Sequence, residues 1–74
     1  MVERMKELIE QKQYAQFRKE LTEFNEADVA AVLEELEKAD RVKIFRILPK
    51  DMAADVFAYL PIEIEQEIIT SLSE

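Results

Sequence analysis

Residues 27–61 read ADVAAVLEELEKADRVKIFRILPKDMAADVFAYLP, and the spacing of their apolar residues decides the fold. Leu36, Leu48 and Leu60 stand twelve residues apart. Each follows an apolar pair three and four residues earlier: Val32/Leu33, Ile44/Phe45 and Val56/Phe57. Twelve residues suit one helix of two to three turns plus a tight turn. The same steps carried outward give a terminal column of Lys12, Phe24, Leu36, Leu48, Leu60 and Leu72. Ile9, Leu21, Leu33, Phe45, Phe57 and Ile69 precede it by three, and Leu8, Glu20, Val32, Ile44, Val56 and Ile68 by four. Only Lys12 and Glu20 break the apolar pattern, in a chain that is 49% hydrophobic. Positions i, i+1 and i+4 form one helical stripe, so each segment has a core-facing side. The pattern predicts an all-α chain: a solenoid of about six short helices with a twelve-residue helix-plus-turn repeat.

Composition narrows the function. A chain of 74 residues makes one domain and buries only about 60% of its unfolded surface. Glycine is absent, which argues against hairpins, phosphate-cradling loops and glycine-capped helices. With no cysteine there are no disulfides or thiolate metal sites, in keeping with a reducing compartment. No histidine supplies a base or a transition-metal ligand. No apolar run reaches the length of a membrane span, and the start MVERMKELIEQ has no signal-like core. The expectation is a cytoplasmic helical unit that is not an enzyme, since a small convex stack offers no cleft to shift a carboxyl pKa.

Taken in order, residues 2–11 put Met5, Leu8 and Ile9 on one face. Residues 13–24 gather Tyr14, Phe17, Leu21 and Phe24, with Arg18, Lys19 and Glu20 towards water. Asn25 reads as the N-cap of the third helix, with Asp28 at its third position and Asp40 placed likewise in the fourth. Pro49 and Pro61 punctuate the next two boundaries, leaving Asp51 in the first turn of helix five. The last helix, 62–73, is amphipathic through Ile64, Ile68, Ile69 and Leu72. A solenoid ends in a polar cap, and this helix offers none, so either it folds back to close the core or, the favoured expectation, the chain is an excised piece of a larger protein, whose exposed end in isolation favours a homodimer.

Net charge is −7 and unevenly spread. All ten basic residues lie in positions 1–50, whereas Asp51, Asp55, Glu63, Glu65, Glu67 and Glu74 follow with no base among them. Such a surface repels nucleic acid and anionic membrane and attracts cations or a basic partner. Asp51 and Asp55 share an outward helix face, and Glu63 and Glu67 repeat that spacing. Like charges at i, i+4 repel by about 0.2–0.5 kcal/mol. A divalent cation relieves that repulsion, and Mg²⁺ suits one or two carboxylates with its own waters. An ordinary solvated face has the same spacing. The bases Arg41, Lys43, Arg46 and Lys50 cluster on helix four among acids, which favours salt bridges to the next helix over phosphate contacts.

The stretch also resembles the cytosolic N-terminal domain of MgtE-type magnesium transporters and channels. The matching residues are Asp28-Val29-Ala30, Val32-Leu33-Glu34-Glu35-Leu36, Ile47-Leu48-Pro49, and Ala53-Ala54-Asp55-Val56-Phe57 through Leu60. Asn25-Glu26 stands where the family pattern has His-Pro. The resemblance takes in essentially all of residues 1–74 and implies a right-handed superhelix of short helices. It further implies CBS domains and a membrane pore domain as partners in the parent protein, at the cytosolic face of the plasma membrane. In that family, Mg²⁺ bound between the acidic face and the CBS domains holds the channel closed. Asp55 matches the acidic position of the A-A-[DE]-V motif and is the ligand the resemblance supplies; Asp51, Glu63 and Glu67 come from helical geometry. The rival expectation is a protein-binding scaffold similar to the superhelices of flagellar motor switch proteins, with no metal role.

Overall fold

Short helices need identifiable stops, and this chain supplies the same stop three times. In a computed structural model describing residues 2–73, Leu36, Leu48 and Leu60 each leave the helix in an extended conformation. Each donates its N–H to the carbonyl three residues back, on Leu33, Phe45 and Phe57 respectively. Proline after Leu48 and Leu60 disfavours helical backbone at the leucine, and the leucine side chains turn back into the core.

The helices are α1 (Val2–Glu10), α2 (Tyr14–Glu20), α3 (Glu26–Glu35), α4 (Lys38–Ile47), α5 (Lys50–Tyr59) and α6 (Ile62–Ser73), with a 3₁₀ turn at Leu21–Glu23. The described residues are otherwise turns and contain no strand. From α2 onward the helices open at 14, 26, 38, 50 and 62, twelve residues apart. Asn25 caps α3 by accepting the Ala27 N–H at 2.7 Å, and Asp28 and Asp40 lie in the first turns of α3 and α4. Pro49 and Pro61 take the residue before α5 and α6, their carbonyls receiving the first helical N–H groups.

The core is one cluster. Met5, Leu8, Ile9, Phe17, Leu21 and Phe24 come from the first two helices and the 3₁₀ turn; Val29, Ala30, Val32 and Leu33 come from α3. Ile44, Leu48, Val56, Leu60 and Ile68 complete it. Helix α3 is central, packing on α1, α4 and α5. Phe17 and Phe24 sit with ring centroids 5.9 Å apart, and Phe45 and Phe57, half-buried, at 6.0 Å. Tyr14 lies at the core edge under Lys43, whose Nζ is 4.7 Å from the ring centroid. The Cα radius of gyration, 11.2 Å, matches the about 11 Å of a compact chain this long.

Three local features differ from the sequence-based expectation. Helix α2 ends at Glu20 and tightens into the 3₁₀ turn, instead of running to Phe24. Glu20 is half-buried, not turned to water, because Arg4 of α1 holds it. Finally, α1 ends in a glycine-type cap without glycine. Lys12 has φ 59°, its N–H bonds the Ile9 carbonyl at 3.0 Å, and the Gln13 N–H bonds Leu8 at 2.8 Å. That pair of bonds is the Schellman arrangement.

Candidate functional site

The four candidate carboxylates lie on α5 and α6 but do not form a single group. Val56 and Leu60 hold α5 to the core, which turns the opposite face outward. Asp51 is exposed in the first turn of α5, where a negative charge also favours the helix dipole. Asp55 is exposed one turn later and lines a shallow depression with Glu26, Ala58 and Tyr59. Glu63 is exposed in the first turn of α6. Glu67 is half-buried and engaged: its Oε1 accepts from Arg41 Nη1 at 2.7 Å.

Arg41 is a charged residue that the fold buries. The final carbonyls of an α-helix have no partner inside it. Arg41 Nε donates to the Leu33 carbonyl at 2.7 Å, and Nη2 donates to Leu36 at 2.7 Å and Glu34 at 3.3 Å. One guanidinium therefore closes the end of α3 and still reaches α6 through Glu67. Arg46 reaches the same helix more loosely, its Nη2 3.5 Å from the Ser71 carbonyl. Of the four bases expected to bridge to the next helix, Arg41 alone forms an ion pair among the described residues, and it reaches α6 rather than α5; Lys43 lies over Tyr14 and Lys50 opens α5.

Glu26 and Arg41 are the residues that spacing alone did not single out. Glu26 opens α3 and is half-buried, and the fold brings it beside Asp55. Its only sequence signal is the departure from the family's His-Pro at 25–26. Arg41 had a signal of sorts: it stands where the segments on either side carry the apolar residues Val29 and Ala53. Two further pairs lie away from the acidic face. Arg4 grips both oxygens of Glu20, and Lys6 meets Glu35 at 3.4 Å.

Chemically, the donors on α5 and α6 are all carboxylate oxygens, a set that suits hard cations. Among the described residues no group of three or more histidine, cysteine, aspartate or glutamate side chains is placed to hold a metal ion. The fit is thus partial: the right donor type, with fewer donors than a closed site needs. No helix among the described residues is long and apolar enough to cross a membrane.

Residues 24–74 match the MgtE intracellular N domain, and the chain belongs to that family. The match opens at Phe24, so α1 and α2 lie outside it, although the motif resemblance took them in. No curated protein and no solved structure matches the chain.

Proposed function

We propose that this chain is a regulatory module of a magnesium transporter, sensing intracellular Mg²⁺ through the outward carboxylates of α5 and α6. Membership of the MgtE intracellular N domain family carries this reading. On it, residues 1–74 form one domain, wound as a right-handed superhelix on the twelve-residue unit, at the cytosolic face of the membrane. The even spacing of the helix starts supports the superhelix. Its partners are CBS domains and the pore domain of the parent protein.

The mechanism is electrostatic. Asp55, with Asp51 and Glu63, faces a similarly acidic partner and repels it until Mg²⁺ screens the charges. An ion that binds the closed pair better than the open one shifts the balance by linkage. Glu67 contributes least, because ligating an ion would require it to release Arg41. Glu26 adds a carboxylate beside Asp55 in this chain.

The rival is a metal-free protein scaffold, favoured by the lack of a three-ligand group among the described residues. An amide NMR titration of the chain with MgCl₂, against NaCl at matched ionic strength, separates the two. Mg²⁺-specific shifts at Asp51, Asp55 and Glu63 that fade in Asp55→Asn support sensing. Identical shifts in the two salts would leave the scaffold.

A further inference from the structure

The acidic stretch from Asp51 onward holds no base, yet one of its carboxylates is neutralised from outside it. Arg41 of α4 meets four oxygens: the Leu33, Glu34 and Leu36 carbonyls and Oε1 of Glu67. Those carbonyls lie at the C-terminal end of α3, where the helix dipole is negative. An oxygen-lined place that suits positive charge is thus filled by a cation tethered to the chain.

Arg41 and Mg²⁺ compete for Glu67, and the geometry decides between them. Mg²⁺ keeps several of its own waters and would gain one carboxylate bond. Taking Glu67 would strip Arg41, only 9% exposed, of its one ion-pair partner among the described residues. Leaving a buried charge uncompensated is costly, and three carbonyls hold the guanidinium in place meanwhile. A tethered partner also acts at high effective concentration, which a free ion does not. Glu63, four residues before Glu67, shares its side of α6 and is exposed. The pair of acids that spacing offers a cation on α6 is therefore reduced to one free carboxylate.

We infer that Arg41 is a built-in competitor that withholds Glu67 from the acidic face and so keeps the face's affinity for divalent cations low. The inference rests on the magnesium-sensing reading and deepens it: Asp51, Asp55 and Glu63 serve the ion, and α4 removes the fourth acid. Arg41 touches no ion and acts through Glu67, as a positioning residue. A merely structural Arg41 would give weaker Mg²⁺ binding when lost. A competitor gives tighter binding.

The test is an amide NMR titration of the whole chain with MgCl₂, against NaCl at matched ionic strength. Arg41→Met should bind Mg²⁺ about tenfold tighter than the parent, because the count of ligand charges tunes such sites strongly, and new shifts should arise at Glu67. Lys43→Met removes the same charge from the opposite side of α4 and should change affinity by less than about twofold. Glu67→Gln should leave the parent's affinity unchanged and, combined with Arg41→Met, abolish the gain. Each variant is checked for the parent's helical circular dichroism spectrum. Where Arg41→Met fails that check, Arg41→Gln, which keeps an N–H donor for the α3 carbonyls, takes its place. Equal tightening in Lys43→Met would reduce the effect to net charge and overturn the inference. So would a parent that binds Mg²⁺ at Asp55 and is unaltered by loss of Arg41, or one weakened by Glu67→Gln. A parent without Mg²⁺-specific shifts sinks the sensing reading itself. The inference then stands only if the Arg41 variant gains such shifts at Glu63 and Glu67, and falls without them.

Discussion

Arg41 Nη1 lies 2.7 Å from Glu67 Oε1 while the same guanidinium holds the Leu33 and Leu36 carbonyls, so one side chain ties the end of α3 to α6. The pair is part-buried, and leaving a buried acceptor without its donor costs about 1–3 kcal/mol. Arg41→Met should approach that loss, taking the guanidinium from Glu67 and the Leu36 carbonyl and leaving the Leu33 carbonyl with the Leu36 N–H alone. Glu67→Gln keeps an acceptor for Arg41 and should cost about 1 kcal/mol. Urea denaturation of both variants gives the comparison. A loss below about 1 kcal/mol for Arg41→Met would show that water serves the α3 carbonyls as well as arginine does.

The α3–α5 helix limits were legible because they are local. A leucine every twelve residues, an asparagine before α3 and prolines after Leu48 and Leu60 act within a few residues of the stops they create. Arg41 was not legible in the same way. Its partners lie up to 26 residues away, and an arginine in a charged helix reads as solvated until the fold buries it. Glu26 meets Asp55 only through the packing of α3 on α5. Of the four acids on the spacing-derived face, Glu67 is the one the fold diverts, because α4 presents a cation to it. Glycine's absence pointed away from a left-handed cap, yet Lys12 adopts one because the Gln13–Leu8 and Lys12–Ile9 bonds close α1.

Capping makes a paired prediction. Asn25 accepts the Ala27 N–H at 2.7 Å, whereas Glu37, in the equivalent place before α4, makes no side-chain cap bond. Asn25→Ala should therefore lower stability by about 1 kcal/mol. Glu37→Ala should stay within about 0.5 kcal/mol of the parent, as surface changes usually do. Thermal melts of the two variants side by side decide the matter. Equal losses would mean that the side-chain bond is not what starts α3.

Lys12 carries a measurable strain. A non-glycine residue at φ 59° pays about 1–2 kcal/mol for the contact between its Cβ and the following carbonyl. Glycine removes that contact but adds freedom to the unfolded chain, worth about 0.4–1 kcal/mol against folding. Lys12→Gly should thus gain about 0.5–1 kcal/mol net, as the difference between these two effects. Lys12→Val should lose stability, since a β-branched side chain fits this backbone worst. Chemical denaturation measures each. A destabilised glycine variant would contradict the left-handed cap.

The Arg4–Glu20 pair predicts a pH dependence with a definite sign. Arg4 donates to the two carboxylate oxygens of Glu20 at 3.2 and 2.8 Å, and Gln16 donates to Oε2 at 2.7 Å. The hydrogen bonds from Arg4, then Gln16, hold the Glu20 carboxyl below its ordinary 4.5. The same contacts, led by the hydrogen bond to Glu20, raise Arg4 above the ordinary arginine value, so Arg4 stays charged throughout the acid and neutral range. A carboxyl lowered by folding contributes its stability in full above the unfolded value and loses it as pH falls through the folded value. At neutral pH, Glu20→Gln should melt below the parent. As the solution is acidified past the unfolded and then the folded value, the parent's melting temperature should fall towards that of the variant. Because the pair meets solvent, added salt should shrink the neutral-pH difference. Melting curves of both proteins from neutral to strongly acidic pH give the test, and a gap that stays constant over that range would show that ionisation of Glu20 plays no part in holding α2 to α1.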